Sequence, residues 1–115
     1  MKIEELTKLI EGKVVTKGDS SIYDVTKAFT SDLMSDVLTL DDTDSLILVT
    51  GLANLQTIRT VEMSNINMVI LVRGKKATQE MIDLAEENDT ILIETNHSAF
   101  YTSALMFNAG IKPLY

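Results

Sequence analysis

Three short apolar runs, LILV at 46–49, MVILV at 68–72 and ILI at 91–93, recur at intervals of 22 and 23 residues. Each has the length of a strand and is apolar at every position, so it must be covered on both faces. Each is followed by a stretch with helical spacing: 54–64, 78–88 and 98–109. Strands buried on both sides and separated by helices belong to a parallel sheet, because parallel neighbours need a crossover. With right-handed connections the pattern predicts an α/β fold, a three-layer α/β/α sandwich with a small, mostly parallel sheet. The interval is that of short βα units rather than of a solenoid.

The flanking segments are read from the same rules. Ile3, Leu6, Leu9 and Ile10 predict a helix over 1–11, with Gly12 as its stop. Lys13–Thr16 is a β-branched strand candidate that could pair within the chain or across a dimer. Residues 17–21 read as a turn, and the weakly alternating 22–29 as a bent or edge strand. Thr30 or Ser31 is expected to cap a helix whose apolar face is Leu33, Met34, Val37 and Leu38, with Asp32 in its first turn. The expected buried stripes are Met81, Ile82, Leu84 and Ala85 in one later helix, and Phe100, Tyr101, Ala104, Leu105 and Phe107 in the last. Gly110 suits the final helix's C-terminal cap. No linker or low-complexity stretch divides residues 1–115, which read as one domain.

Charge and composition exclude several classes. Seventeen acidic against ten basic residues give a net charge of −7, which argues against a nucleic-acid surface. The absence of cysteine removes disulfides, thiolate nucleophiles and cysteine-ligated metal centres. The first residues carry Glu4, Glu5 and Glu11 without a continuous apolar run, unlike a signal peptide, and the apolar runs are too short to span a bilayer. The expectation is a cytoplasmic protein with no membrane partner.

In a parallel sheet the carboxyl ends of the strands share one edge, where ligands usually bind. Three loops are predicted there: Thr50–Asn54 (TGLAN), Arg73–Lys76 (RGKK) and Thr95–Ser98 (TNHS). Helix N-termini after Gly51 and near Ser98, with Arg73, Lys75 and Lys76, could hold a phosphate or carboxylate. Taken singly, each loop reads rather as turn glycines with solvated basic ends; their convergence on one edge brings the ligand reading level with that one. GxGxxG and a complete P-loop are both absent, against a common kinase or dinucleotide enzyme.

His97, the single histidine, has Glu94, Thr95 and Ser98 only as sequence neighbours and reads as a polar loop residue rather than a base. Asp41, Asp42 and Asp44 lack the glycine and distal glutamate of a calcium loop and read as a solvated turn. Asp32 and Asp36 fall at i and i+4, and Arg59 and Glu62 form a possible helix pair.

SDLMSDV at 31–37, TGLANLQTIRTVEM at 50–63 and VRGK at 72–75 together resemble a DRTGG domain. The order matches: a Ser-Asp-Leu helix, a strand ending in Thr-Gly, an Asn-x-Gln-x-x-Arg-Thr helix, then a strand ending in Arg-Gly-Lys. The family is similar to the N-terminal domain of HPr kinase/phosphorylase. It also occurs beside CBS domains in regulated pyrophosphatases, and in small free-standing proteins of signalling and hydrogenase systems. The resemblance implies a non-catalytic regulatory module, often a homodimer, with an α/β sandwich fold. The expected ligand is a nucleotide or other phosphorylated metabolite, with a larger signalling or redox protein as a possible partner and no cofactor. The resemblance carries over Asp32, Thr50, Gly51, Asn54, Gln56, Arg59 and Arg73 as matching positions. The pentad that names the family is absent; Asp24-Val25-Thr26 and Thr50-Gly51 are fragments of it. The expected ligand-binding residues are therefore Asp32, Thr50, Gly51, Asn54, Arg73, Lys75, Thr95 and His97, with no catalytic or metal-binding set.

Overall fold

The computed structural model describes all 115 residues. The three apolar runs are the strands β3 (Leu46–Thr50), β4 (Met68–Leu71) and β5 (Ile91–Glu94) at the middle of a six-stranded sheet. β1 (Lys13–Val14), β2 (Lys27–Thr30) and β6 (Lys112–Pro113) complete it in the order β1-β5-β4-β3-β2-β6. All neighbours are parallel except β1, which runs antiparallel to β5 with Lys13 opposite Glu94. The amino-terminal strand thus pairs within the chain.

Residues alternate across each run. Leu46, Leu48, Val69, Leu71 and Leu92 face one core; Ile47, Val49, Ile70, Val72 and Ile93 face the other. Period-two geometry therefore feeds both layers from one apolar stretch. The first core is closed by α2 (Met34–Val37), α3 (Leu55–Met63) and α4 (Gln79–Glu87). The second is closed by α1 (Ile3–Leu9) and α5 (Ala99–Asn108). Stepping from β2 to β5 in one direction with right-handed crossovers carries α2, α3 and α4 to one face. After β5 the chain crosses back over the opposite face through α5 and lands beyond β2. The expected three-layer sandwich is the observed one.

The three later helices begin at side-chain caps: Asn54, Thr78 and Ser98 each accept a hydrogen bond from the backbone N–H three residues on. Gly110 follows α5 at φ 102, as a C-terminal stop requires.

Several local expectations are corrected. The α1 helix stops at Ile10 with Glu11 in the left-handed region (φ 52), so Gly12 is not the stop. Gly12 is needed for space: a Cβ there would meet Ile93 Cγ2 at 2.9 Å and Glu94 O at 3.0 Å. The strand expected over 22–29 is shorter. A 3-10 turn covers Ser20–Ile22, Asp24 bridges Lys2, and only Lys27–Thr30 join the sheet.

Helix α2 is a single turn. Ser31 precedes it, accepting the Leu33 N–H at 3.0 Å, and only Met34 and Val37 are buried while Leu33 and Leu38 are exposed. Asp32 lies outside it, so the i, i+4 face with Asp36 does not form. In α5 the expected stripe is largely on the outside: Thr102 and Met106 are buried, whereas Phe100, Tyr101 and Phe107 are exposed. In α4, Met81 and Ala85 are buried as expected, with Ile82 and Leu84 partly so. Glu62 receives the Asn88 side-chain amide at 3.1 Å rather than pairing with Arg59.

Candidate functional site

The helix after β4 packs on one face and the helix after β5 on the other, so the topological switch lies between the carboxyl ends of these two strands. Open α/β sheets bind ligands at that place. Here it is built from two loops tied together. Val72 to Lys75 form a tight turn closed by Lys75 N–H on Val72 O at 3.2 Å, with Arg73 at φ 58 and Gly74 at φ 72. A left-handed pair fits glycine at the second position; at the first it is held by an arginine, a conformation costing roughly 1–2 kcal/mol. The turn is secured to the neighbouring loop by Arg73 N–H on His97 O at 2.7 Å and Gly74 N–H on Thr95 O at 2.9 Å. Asn96 lies beside it, its Oδ1 3.4 Å from where a Gly74 Cβ would be.

Thr95 is a brace rather than a free donor. Its buried hydroxyl donates to Ile10 O at 2.7 Å and accepts His97 N–H at 3.3 Å, fastening the loop to the end of α1. Glu94, one residue earlier, points to the other face by the strand alternation. Its carboxylate accepts Ala77 N–H at 2.8 Å and faces Lys76 at 3.5 Å.

His97 is half-buried, its ring set edge-on to Tyr101 with centroids 4.7 Å apart, and its Nε2 lies 4.0 Å from Glu11 Oε1. Ser98 Oγ caps α5 on Tyr101 N–H. Of the three neighbours that could have paired with the imidazole, each is therefore engaged elsewhere. Arg73 and Lys75 are exposed and make no ion pair within the chain.

The β3 end forms a second locus on the same edge. Asp32 Oδ1 accepts the Thr50 hydroxyl at 2.9 Å and Gly51 N–H at 2.6 Å, and Thr50 Oγ1 accepts Leu52 N–H at 3.1 Å. Asp32 is thereby the clasp between the β2 and β3 loops. Gly51 has no positive φ, and a Cβ there would lie at an ordinary 3.5 Å from Asp32 Oδ2. Asn54 caps α3 through Thr57 N–H, while Thr57 Oγ1 donates to Leu52 O at 2.6 Å.

All eight expected residues thus fall on the carboxyl edge, but in two roles. Asp32, Thr50, Asn54 and Thr95 spend their side chains on the loops themselves. Arg73 and Lys75 are exposed and unpaired, while His97 is half-buried against Tyr101 and Glu11 and Gly51 gives its N–H to Asp32. Sequence reasoning passed over Asn96, Glu11 and Tyr101, which join the site through contacts no local motif announces. The groups whose titration is displaced sit elsewhere. Lys27 hydrogen-bonds and ion-pairs with Asp42 and holds its carboxyl below the usual range; burial, and then the Asp89 charge, raise the Tyr23 phenol. No group of three or more His, Cys, Asp or Glu side chains gathers where a metal ion could be held.

No protein-family model matches the chain. No curated protein matches it either. Among solved structures, its fold is similar to the CBS and DRTGG domains of the regulatory region of a Clostridium perfringens pyrophosphatase, crystallised with its activator diadenosine tetraphosphate. The TM-score is 0.71 at 15% identity, covering 98% of this chain and 48% of that one. The chain therefore spans about half the length of that regulatory region. At the level of fold, the likeness to a DRTGG domain read from the sequence is borne out.

Proposed function

We propose that this chain is a non-catalytic regulatory domain that binds a nucleotide or other phosphorylated metabolite at the carboxyl edge of its sheet. It acts as a homodimer and through a partner protein. The observation that carries the reading is the pair of unpartnered cations, Arg73 and Lys75, held on a clamped turn at the topological switch of a chain with net charge −7. An acidic protein that exposes two free cations beside the N-terminal end of a helix there is suited to an anion. The likeness to a regulatory region complexed with a dinucleoside polyphosphate supports the same class of ligand.

Thermal unfolding with adenine nucleotides, dinucleotides and other phosphorylated metabolites tests this. A ligand at 100 times its dissociation constant stabilises the native state by about 2.7 kcal/mol, a shift of several degrees for a domain of this size. The shift is expected to disappear in Arg73→Ala. Silence across the panel would overturn the ligand-sensing role. Hydrolase or transferase turnover lost in His97→Ala would overturn the non-catalytic one.

A second reading, a pure interaction subunit of a signalling or redox (hydrogenase-associated) system, is favoured by a separate observation: the apolar outer face of α5.

A further inference from the structure

We propose that the outer face of α5, with the groove beside it, is the interface between two copies of this chain. This deepens the dimeric half of the reading above and rests on that half alone, not on the ligand. The feature that sets α5 apart is its lack of a charged side. From Thr95 to Ile111 there is no Asp, Glu, Lys or Arg, in a chain with seventeen acidic and ten basic residues. A helix with no charged face is suited to an interior, yet Phe100 is 85% exposed and Phe107 64%.

Phe100 and Phe107 stand at i and i+7 on one face, two turns and about 10.5 Å apart. Ser103 and Ala104 lie between them and line the adjoining groove with the two phenylalanines, the Ser103 hydroxyl turned to Thr30 Oγ1 of β2 at 2.8 Å. The pattern is large-small-small-large and symmetric about the midpoint of Ser103 and Ala104. A two-fold axis crossing α5 there brings the small residues of two copies together. The helices can then approach closely, and Phe100 of each faces Phe107 of the other. Such self-complementarity is what an isologous interface demands and what an unrelated partner does not.

The groove continues the patch. Only α1 and α5 cover this side of the sheet, leaving β2 and β6 open under a hollow of about 480 Å³. Its walls include Ala28, Pro113 and Tyr115, and its single charged residue is Lys112. Phe100, Phe107 and Tyr115, the last 82% exposed, offer about 350–550 Å² at the usual area of an aromatic side chain. That is about half or more of the roughly 800 Å² that a standard interface takes from each partner. Two molecules of charge −7 repel over most of their surfaces; this face carries no Asp or Glu side chain.

The test is the mass of the full chain by sedimentation equilibrium over a concentration series, with the unfolding midpoint followed in parallel. The expected result is twice the monomer mass, a midpoint that rises with concentration, and a dissociation constant raised about 30-fold or more by Phe107→Glu or Phe100→Glu. Both side chains are largely exposed, so the variants keep a native circular dichroism spectrum. Met63→Glu, at an exposed apolar site on the far face, leaves the dimer intact. A wild-type monomer at every concentration overturns the proposal, as does a dimer indifferent to both phenylalanine variants. A monomer that still gains stability from a phosphorylated ligand refutes the interface and spares the ligand site; a dimer silent to the panel does the reverse.

Discussion

Replacing Asp32 by alanine removes the clasp between the β2 and β3 loops and should unmake the carboxyl edge before it unmakes the core. The carboxylate accepts two hydrogen bonds, from Thr50 Oγ1 and Gly51 N–H. Thr50 is fully buried, so its hydroxyl loses its acceptor where water cannot replace it, a loss of about 1–3 kcal/mol. Gly51 N–H is partly exposed and can turn to solvent, adding little. Asp32 itself is exposed, which favours the lower half of the range, so the expected loss is about 1–2 kcal/mol. For a chain of this length that lowers the unfolding midpoint by roughly 4–10 °C. Asp32→Asn keeps an oxygen acceptor and should recover at least half. In a Thr50→Val background there is no buried hydroxyl to orphan, so Asp32→Ala should cost about 1 kcal/mol less than in wild type. Urea unfolding at neutral pH reads wild type and the four variants, with a displaced midpoint and an unchanged slope expected. An Asp32→Ala protein within about 0.5 kcal/mol of wild type, the range of an indifferent surface change, would refute the reasoning.

Three further outcomes follow from the geometry. Gly12→Ala drives a Cβ into Ile93 and the Glu94 carbonyl and should destabilise by about 1–3 kcal/mol; a neutral result in urea would mean α1 and β5 do not approach as described. Arg73→Gly relieves the left-handed backbone that Arg73→Ala retains, so it should be the more stable variant by about 1 kcal/mol. Both should lose the ligand-induced shift. A more stable alanine variant would contradict the turn. Because Lys27 depresses the Asp42 carboxyl, the pair stabilises the fold above the ordinary aspartate range and ceases to as pH falls through the depressed value. Wild type and Asp42→Asn should therefore differ near neutrality and converge in acid; a gap that widens below pH ~4 would reverse the sign.

How much could be read in advance depended on whether the signal was local. β3, β4 and β5 were legible because burial on both faces leaves no polar position to confuse the period. The starts of α3, α4 and α5 were legible because Asn54, Thr78 and Ser98 each serve a backbone N–H three residues away. α2 misled because Leu33 and Leu38 continue a helical apolar spacing, while Asp32 is drawn off by Thr50, a residue 18 positions on. β6 gave no strand signal: Lys112-Pro113 is held by Lys112 N–H on Thr26 O and Leu114 N–H on Ala28 O. Proline is tolerated there because its missing donor faces an open edge. The outer face of α5 was invisible to periodicity, since a helix with no charged face does not say which side is inside. At the site, convergence of the three loops followed from strand direction alone. The commitment of Thr95 to Ile10, 85 residues away, and the clamp between Arg73 and His97 are tertiary facts that no local pattern encodes.

The central claim is tested most directly by following the backbone amide resonances of the isotope-labelled chain during titration with diadenosine tetraphosphate and with ATP. The account predicts saturable shifts centred on Arg73, Gly74, Asn96 and His97, and an affinity reduced roughly tenfold or more in Arg73→Ala, the loss of one charged hydrogen bond. No saturable shifts with either compound, or shifts centred on α5 and the groove that persist in Arg73→Ala, would contradict it.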